Sequence, residues 1–204
     1  MSDRLIVRES AGAIVCRPNR LIKLAQDGLD PRGVFNFEHW RDGRMLHAET
    51  VRNIITTEGK NNMLDVQFHN TTVRPTWYIG LISITSYTAV AATDNYDGIN
   101  AANGWTEFTS YTDPANANSA TTRPAWTEGT AAASSITNAS SVNFDITGTG
   151  TVKGLFLAGG TNAQTKSDST SGSGNTLWCA TLFAGGDRAV INLDQLRITY
   201  TISL

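Results

Sequence analysis

Residues 195–204 read QLRITYTISL, a strict alternation of apolar and polar side chains that decides the fold. The apolar set consists of Leu196, Ile198, Tyr200, Ile202 and Leu204, and the polar set of Arg197, Thr199, Thr201 and Ser203. Such alternation predicts a β-strand with one face buried and the other in contact with water. The C-terminal stretch is therefore expected to lie in a half-buried sheet.

Three further strands are predicted upstream of this stretch. They cover residues 142–146 (VNFDI), 151–158 (TVKGLFLA) and 176–183 (TLWCATLF). Residues 147–150 (TGTG) separate the first two and predict a hairpin turn between them. These strands indicate an antiparallel sheet architecture for the C-terminal third of the chain.

A second hairpin is predicted near the start of the domain. Residues 34–40 and 45–55 read as strands, and the Asp42-Gly43 turn between them tolerates a positive φ. Phe35, Phe37 and His39 fall on one face, and His39 could face His47 across the turn. Two histidines without a third ligand indicate hydrogen bonding rather than a metal site.

One helix is predicted, over residues 56–68 (TTEGKNNMLDVQF). Thr56 or Thr57 is suited to cap its first turn, where Glu58 would face the positive end of the helix dipole. Its apolar residues recur at roughly helical spacing, at Met63, Leu64, Val66 and Phe68. This spacing predicts a stripe that faces the core.

The middle of the chain combines one strong strand with long loops. Residues 75–82 (PTWYIGLI) are apolar almost throughout, which predicts a central strand covered on both faces, with Gly80 admitting a bulky neighbour. Short strands are expected at residues 105–108 and 124–126. The Asp94–Gly98 stretch lacks the spacing of a calcium loop and predicts an Asx-type turn.

The Gly-, Ser- and Thr-rich residues 159–175 match no phosphate-loop pattern. They predict a mobile loop between two strands, with a surface tip that contacts a neighbouring subunit as the alternative.

Composition limits the classes of partner. The chain has 204 residues, 17% of them charged, and a net charge of −2, so no bulk electrostatic attraction to nucleic acid or membranes is expected. No signal-peptide core or membrane-spanning stretch is evident, which favours synthesis in a cytoplasm. Cys179 lies in an apolar strand and reads as a buried free thiol, with a disulfide to Cys16 as the alternative.

No catalytic constellation is present in the sequence, and we expect neither enzymatic activity nor a cofactor. The three histidines all precede residue 70, and no nucleophile elbow, zinc-protease motif or cysteine pair occurs. A carbohydrate-binding module is an alternative, since Trp40, Trp105 and Trp126 are candidates for a stacking platform. Trp77 and Trp178 instead lie in apolar strands and are expected to be buried.

Residues 1–32 differ from the rest of the chain. Short apolar runs at residues 5–7, 13–15 and 21–24 alternate with arginines, and each run is too short to form a core alone. The segment predicts either edge strands of the main sheet or an extended arm that lies over a neighbouring subunit by strand addition. The chain thus divides into an N-terminal arm (1–32) and a β-sandwich domain (33–204).

Several motifs resemble a family of tailed-bacteriophage virion proteins. They are TTEG at residues 56–59, MLDVQF at 63–68, WYIGLI at 77–82, GWTEF at 104–108, TRPAW at 122–126, ITNA at 136–139, GTVKGLFL at 150–157 and TLW at 176–178. Residues 35–43 (FNFEHWRDG) look similar to the same setting. The resemblance covers residues 33–204 and its motifs are structural, so it names no active site.

The strand, helix and arm patterns predict an all-β, jelly-roll-like sandwich with one short helix and an extended N-terminal arm. The resemblance implies a capsid decoration (cement) protein. It would be made in the host cytoplasm and reside on the virion surface, where it would bind the major capsid protein and other copies of itself, as a trimer. The expected contact residues are all in the arm: Arg4, Leu5, Ile6, Val7, Arg8, Ile14, Val15, Arg17 and Arg20. The alternatives are a tail or head–tail joining component, or a carbohydrate-binding adhesin that contacts the host surface.

Overall fold

The structure is a computed structural model that describes residues 30–71, 73–83, 89–170 and 174–204. The described residues form fourteen strands, one α-helix and two short 3₁₀ helices, at 96–98 and 162–164. The strands are β1 (Arg32–Arg41), β2 (Arg44–Arg52), β3 (Ile54–Ile55), β4 (Trp77–Ser83), β5 (Thr106–Phe108), β6 (Tyr111–Thr112), β7 (Ala125–Trp126), β8 (Ser135–Thr137), β9 (Val142–Ile146), β10 (Gly150–Val152), β11 (Gly154–Gly159), β12 (Thr176–Leu182), β13 (Arg188–Val190) and β14 (Gln195–Ser203). The helix α1 spans Thr57–Phe68.

Two six-stranded antiparallel sheets and one separate pair of strands form the described part of the domain. The first sheet has the order β2-β1-β14-β9-β6, with β8 also paired to β14. The second has the order β3-β12-β11-β4-β5, with β7 also paired to β4, and β10 and β13 form a separate pair. The first and last strands, β1 and β14, lie side by side. The predicted all-β sandwich with one short helix is confirmed, whereas its jelly-roll-like arrangement stays a prediction. Residues 1–29 of the predicted arm lie outside the described residues.

The main core lies between the sheets. Phe35, Phe37 and Tyr200 of the first sheet belong to the same buried cluster as Leu81 and Leu155 of the second. Phe35 and Tyr200 stack with ring centroids 4.1 Å apart. The alternation in β14 places Leu196, Ile198 and Tyr200 in the core, as the sequence predicts. Leu204 was predicted on the same buried face, but it lies beyond the end of β14 and is 59% exposed.

The second sheet is buried on its outer face as well. There Phe156, Leu177 and Ala180 pack against Trp105 and Ala163, which come from loops outside the strands. We call this cover the loop layer and define it as residues 89–105 and 160–170. Because of it, every residue of β11 is buried.

Gly80 of β4 has the predicted role of admitting a bulky neighbour. An added Cβ would lie 2.1 Å from the Phe156 ring, so a larger residue could not be accommodated without a shift of that ring. β4 lies between β11 and β5, so it is central as predicted. Its cover on both faces is also confirmed, since Leu81 belongs to the main core and Ile82 to the cluster under the loop layer.

The predicted hairpin at residues 147–150 is wrong. β9 pairs with β14 and β6, whereas β10 pairs with β13, so the turn connects strands that are not neighbours. The predicted strand 151–158 is likewise divided at Lys153, whose N–H donates to the Ile82 carbonyl. Local turn propensity cannot reveal a strand partner that is distant in sequence.

The predicted return strand 45–55 is also divided. β2 ends at Arg52, and β3 pairs with β12 in the second sheet. The Asn53 N–H between them donates to the Gly33 carbonyl at 3.1 Å. The chain thus passes from one sheet to the other at this point, directly before α1.

Candidate interaction surface

An apolar groove lies along α1. We call it the α1 groove. Its apolar lining consists of Met63, Leu64, Val66, Phe68, Val73, Trp77, Trp178 and Leu204, and it encloses about 480 Å³. Phe68 is 76% exposed, Val73 61%, Leu204 59% and Leu64 48%. Exposed apolar residues are ordinary when scattered, but a contiguous group of this kind marks a contact surface.

A second apolar cleft adjoins the α1 groove. It encloses about 230 Å³ and shares Trp77 and Trp178 with the groove, and Ile136, Leu157 and Ile202 also line it. The rings of Trp77 and Trp178 meet edge to face, with their centroids 6.0 Å apart. The exposed apolar surface of α1 is thus continuous with the end of the sandwich core.

Thr56 is the N-cap residue of α1, directly before the first helical residue. The Thr56 side chain accepts a hydrogen bond from the Gly59 N–H at 2.9 Å and donates one to the Leu177 carbonyl at 2.5 Å. The backbone N–H of Thr56 donates to the Trp178 carbonyl at 3.0 Å. The predicted N-cap is confirmed, and it attaches the helix to β12 through polar contacts.

Glu58 adds a second attachment. Its carboxylate accepts hydrogen bonds from the Leu177 N–H at 2.7 Å and from the Tyr96 N–H at 2.9 Å. Burial raises the pKa of Glu58, and these two hydrogen bonds oppose the rise. The residue joins the first turn of α1 to both β12 and the loop layer.

The prediction that Met63, Leu64, Val66 and Phe68 form a core-facing stripe is wrong. Gly59 is the buried residue of α1, and Met63, one turn later, packs against the core, whereas Leu64 and Phe68 are exposed. An added Cβ at Gly59 would lie 2.6 Å from the Trp178 carbonyl oxygen. This close backbone approach sets the rotation of the helix and turns Leu64 and Phe68 outward.

The main charged cluster lies under the loop layer. Arg123 donates two hydrogen bonds of 2.8 Å to the Glu107 carboxylate, and both side chains are fully buried. It also donates to the Ala163 carbonyl at 2.7 Å and the Asp168 carbonyl at 3.1 Å. The pair thereby joins the loop layer to β5.

Neighbouring groups complete this cluster. Burial alone would lower the pKa of Arg123, but the charge and hydrogen bonds of Glu107 outweigh burial and raise it. Burial raises the pKa of Tyr96 to about 12. Since both members of the ion pair are enclosed, a substrate has no access to them and the cluster has a structural role.

The Gly-rich residues 159–175 were predicted to form a mobile loop, and the described part is packed instead. Ala163 is fully buried, and Lys166 donates to the Thr109, Tyr111 and Ala120 carbonyls. Its ammonium lies 3.7 Å from the centre of the Tyr111 ring. Buried polar contacts outside any strand pattern hold this segment, so composition did not reveal them.

A second charged cluster lies inside the first sheet, where β1 ends beside the start of β14. The fully buried Asp194 carboxylate forms a hydrogen bond with His39 Nε2 at 2.8 Å. It also accepts a hydrogen bond from Arg41 Nε at 2.6 Å. Burial would raise the pKa of Asp194, but hydrogen bonds from Arg41, the Ile191 N–H and His39 outweigh it and lower the pKa to about 2. The carboxylate is therefore a charged structural anchor for β1 and β14.

The histidines occupy the predicted register. His39 and His47 are opposite each other in the β1–β2 pair. His39 is buried and forms the expected hydrogen bond, to Asp194. Over residues 30–71, 73–83, 89–170 and 174–204, no group of three or more histidines, cysteines or carboxylates is placed to hold a metal.

The predicted sugar-stacking platform is mostly absent from the surface. Trp105 is fully buried and Trp126 is 3% exposed. Trp40 is half-buried, and the Arg197 guanidinium covers its ring at 4.6 Å. Of the expected buried pair, Trp178 is 7% exposed and Trp77 is half-buried.

Two smaller predictions are confirmed. The Asn95 side chain accepts a hydrogen bond from the Gly98 N–H at 2.7 Å, which is an Asx-type turn. Cys179 is a buried free thiol, and burial raises its pKa to about 12. Cys16 lies outside the described residues, so the alternative Cys16–Cys179 disulfide stays untested.

The predicted contact residues of the arm lie outside the described residues, and their contacts stay a prediction. They are Arg4, Leu5, Ile6, Val7, Arg8, Ile14, Val15, Arg17 and Arg20. The α1 groove was not anticipated as a site. The sequence did indicate a helix with apolar residues there, but the helix was expected to turn those residues toward the core.

Within the part of the chain that the structure describes, no helix is long and apolar enough to cross a membrane. No protein-family model, no curated protein and no solved structure matches this chain.

Proposed function

We propose that this protein is a non-enzymatic virion structural protein of a tailed bacteriophage, where it binds the major capsid protein as a capsid decoration (cement) protein. It would be made in the host cytoplasm and then occupy the capsid surface, where it also contacts other copies of itself. The observation that carries the proposal is the α1 groove. It leaves Leu64, Phe68, Val73 and Leu204 open to contact at one end of a sandwich.

The use of the charged groups supports a structural role. Arg123 and Glu107 neutralise each other inside the domain, and Asp194 is saturated by His39, Arg41 and a backbone N–H. Groups satisfied in this way stabilise a rigid body and are not poised for chemistry. A cement protein needs such a body, since it bridges capsid subunits against the pressure of packaged DNA.

The arm supplies the second part of the proposed contact. An interface of ordinary size buries about 1,600 Å² in total. Apolar runs flanked by arginines, at residues 4–8 and 14–20, could enlarge such an interface without enlarging the domain. Capsid binding is thus shared between the α1 groove and the arm, and the rest of the sandwich supplies a rigid body.

Copy number per particle tests this function. Quantitative mass spectrometry of purified virions would give the ratio of this protein to the major capsid protein. We expect a ratio comparable to one. A count of a few to a few tens of copies per particle would instead assign the protein to the tail or to the head–tail joint, and absence from the particle would overturn any virion role.

A further inference from the structure

The first described residue lies beside α1. The Asp30 carboxylate is 3.8 Å from the Lys60 ammonium, and Lys60 is in the first turns of the helix. Residues 1–29 precede Asp30 in the sequence. The arm therefore enters the domain next to the helix that bears the α1 groove.

The helix geometry connects this entry point to the groove. Lys60, Leu64 and Phe68 are spaced by four residues, so they follow one another along one side of α1. Leu64 and Phe68 are the exposed apolar residues of the groove on that side. A chain that passes Lys60 along this side meets an apolar surface.

The nearest apolar run of the arm can reach this surface. Leu21–Leu24 (LIKL) is separated from Asp30 by residues 25–29, which span at most about 17 Å when extended. Lys60 and Phe68 are separated by a helical rise of about 12 Å. The run is thus long enough, and close enough in sequence, to lie in the groove of its own chain.

We propose that Leu21–Leu24 of the chain's own arm occupies the α1 groove, with its apolar side chains against Leu64, Phe68 and Leu204. A segment tethered this closely competes at an effective concentration of the order of millimolar, which favours it over the same segment of a second copy. The inference goes beyond the proposed function, because it concerns the isolated protein: there the run covers the groove, and capsid binding would displace it. It makes Leu21–Leu24 an anchor and leaves residues 4–20 to project from the domain.

Disulfide trapping tests the identity of the occupant. Cys16→Ser removes the native thiol of the arm. Cys179 can stay, because it is buried. In this background, Leu21, Ile22 and Leu24 are replaced in turn by cysteine together with Leu64→Cys. We expect at least one pair to oxidise within a single chain, seen as a monomer of altered mobility on a non-reducing gel. In the control, the same arm cysteines are combined with Leu46→Cys instead of Leu64→Cys. Leu46 is exposed to the same degree as Leu64 but lies in β2, so no disulfide bond should form.

Two results of the trapping would overturn the proposal. Bonds that form only between chains, including in a mixture of the two single-cysteine variants, would show that a second copy supplies the segment. The absence of any bond at all three positions would show that the groove is not occupied by this run.

Tryptic cleavage after Lys23 gives an independent readout. In the full-length protein we expect Leu64→Asp/Phe68→Asp to accelerate this cleavage about tenfold, since a charged groove no longer holds the run. Leu46→Asp is the matched control and should leave the rate unchanged. Equal rates in the wild type and the double variant would contradict the proposal.

Discussion

The loop layer and the α1 groove flank the same sheet and differ in how they treat polar and apolar groups. In the loop layer, Arg123 and Glu107 are fully buried and saturated with partners. In the groove, Leu64 and Phe68 face outward although α1 is firmly attached at Thr56. This domain therefore uses charged pairs for internal cohesion and leaves apolar side chains exposed on α1.

The largest expected effect comes from breaking the loop layer. Arg123→Met should lower the free energy of unfolding by about 3–5 kcal/mol, because it leaves the Glu107 charge buried without its partner. Urea unfolding followed by tryptophan fluorescence measures the change. Arg197→Met is the control. This half-buried residue stacks on Trp40 and has no buried carboxylate as a partner among the described residues, so its loss should cost about 1 kcal/mol or less.

A double variant sharpens this result. Arg123→Met/Glu107→Gln removes both charges and keeps an acceptor for the Ser167 N–H. It should recover part of the loss, since no unpaired charge remains buried. A double variant less stable than Arg123→Met alone would show that the pair does not act through charge compensation.

The second effect concerns Asp194 and depends on pH. Its folded pKa of about 2 lies below the value of about 3.9 in an unfolded chain, so the carboxylate stabilises the fold above pH ~4 and ceases to do so as the pH falls through ~2. The shift corresponds to about 2.5 kcal/mol. Asp194→Asn should lose about this amount at pH 7 and show a flatter stability curve between pH 4 and 2.

The matched control for Asp194 is Asp65→Asn. The Asp65 side chain is half exposed and lies 3.6 Å from the exposed His69, so its loss should cost about 1 kcal/mol or less. Equal losses for the two aspartates at pH 7 would contradict the assignment of Asp194 as a buried anchor.

The third effect tests how α1 is attached. Gly59→Ala should lower the free energy of unfolding by about 1–2 kcal/mol, although alanine favours helix formation, because the new Cβ collides with the Trp178 carbonyl. Gly129→Ala is the control, since its nearest non-neighbouring contact would be 3.4 Å away. Thermal unfolding distinguishes the two. No loss at Gly59 would mean that another contact sets the rotation of the helix.

The smallest effect is expected in the groove itself. Phe68→Ala should change the free energy of unfolding by less than about 1 kcal/mol, because the ring is 76% exposed. Leu46→Ala, on the edge strand β2, serves for comparison. A loss of about 3 kcal/mol at Phe68, typical of a core phenylalanine, would place the groove with the core rather than with the contact surface.

Sequence patterns revealed the parts of the fold that depend on short-range periodicity. The alternation in β14, the Thr56 cap and the close packing at Gly80 follow from local rules, and the structure confirms them. These features were sufficient for the all-β sandwich with one short helix.

The candidate site was not predictable in the same way. Helical spacing identified Leu64 and Phe68 as one stripe, but the Gly59–Trp178 contact, which sets the direction of that stripe, joins residues distant in sequence. Likewise, Arg123 and Glu107 lie on either side of a loop-rich stretch, and His39 and Asp194 come from opposite ends of the domain. Pairings of this kind leave no periodic signal.

The most direct test of the α1 groove as a contact surface uses the double variant Leu64→Asp/Phe68→Asp. Its affinity for capsids is measured by co-sedimentation with purified particles that lack the protein. The double variant should keep its unfolding free energy to within about 1 kcal/mol, because both positions are exposed. Its affinity should fall about tenfold relative to wild type, while Leu46→Asp binds normally. Unchanged affinity in a correctly folded double variant would contradict the claim that the α1 groove serves contact.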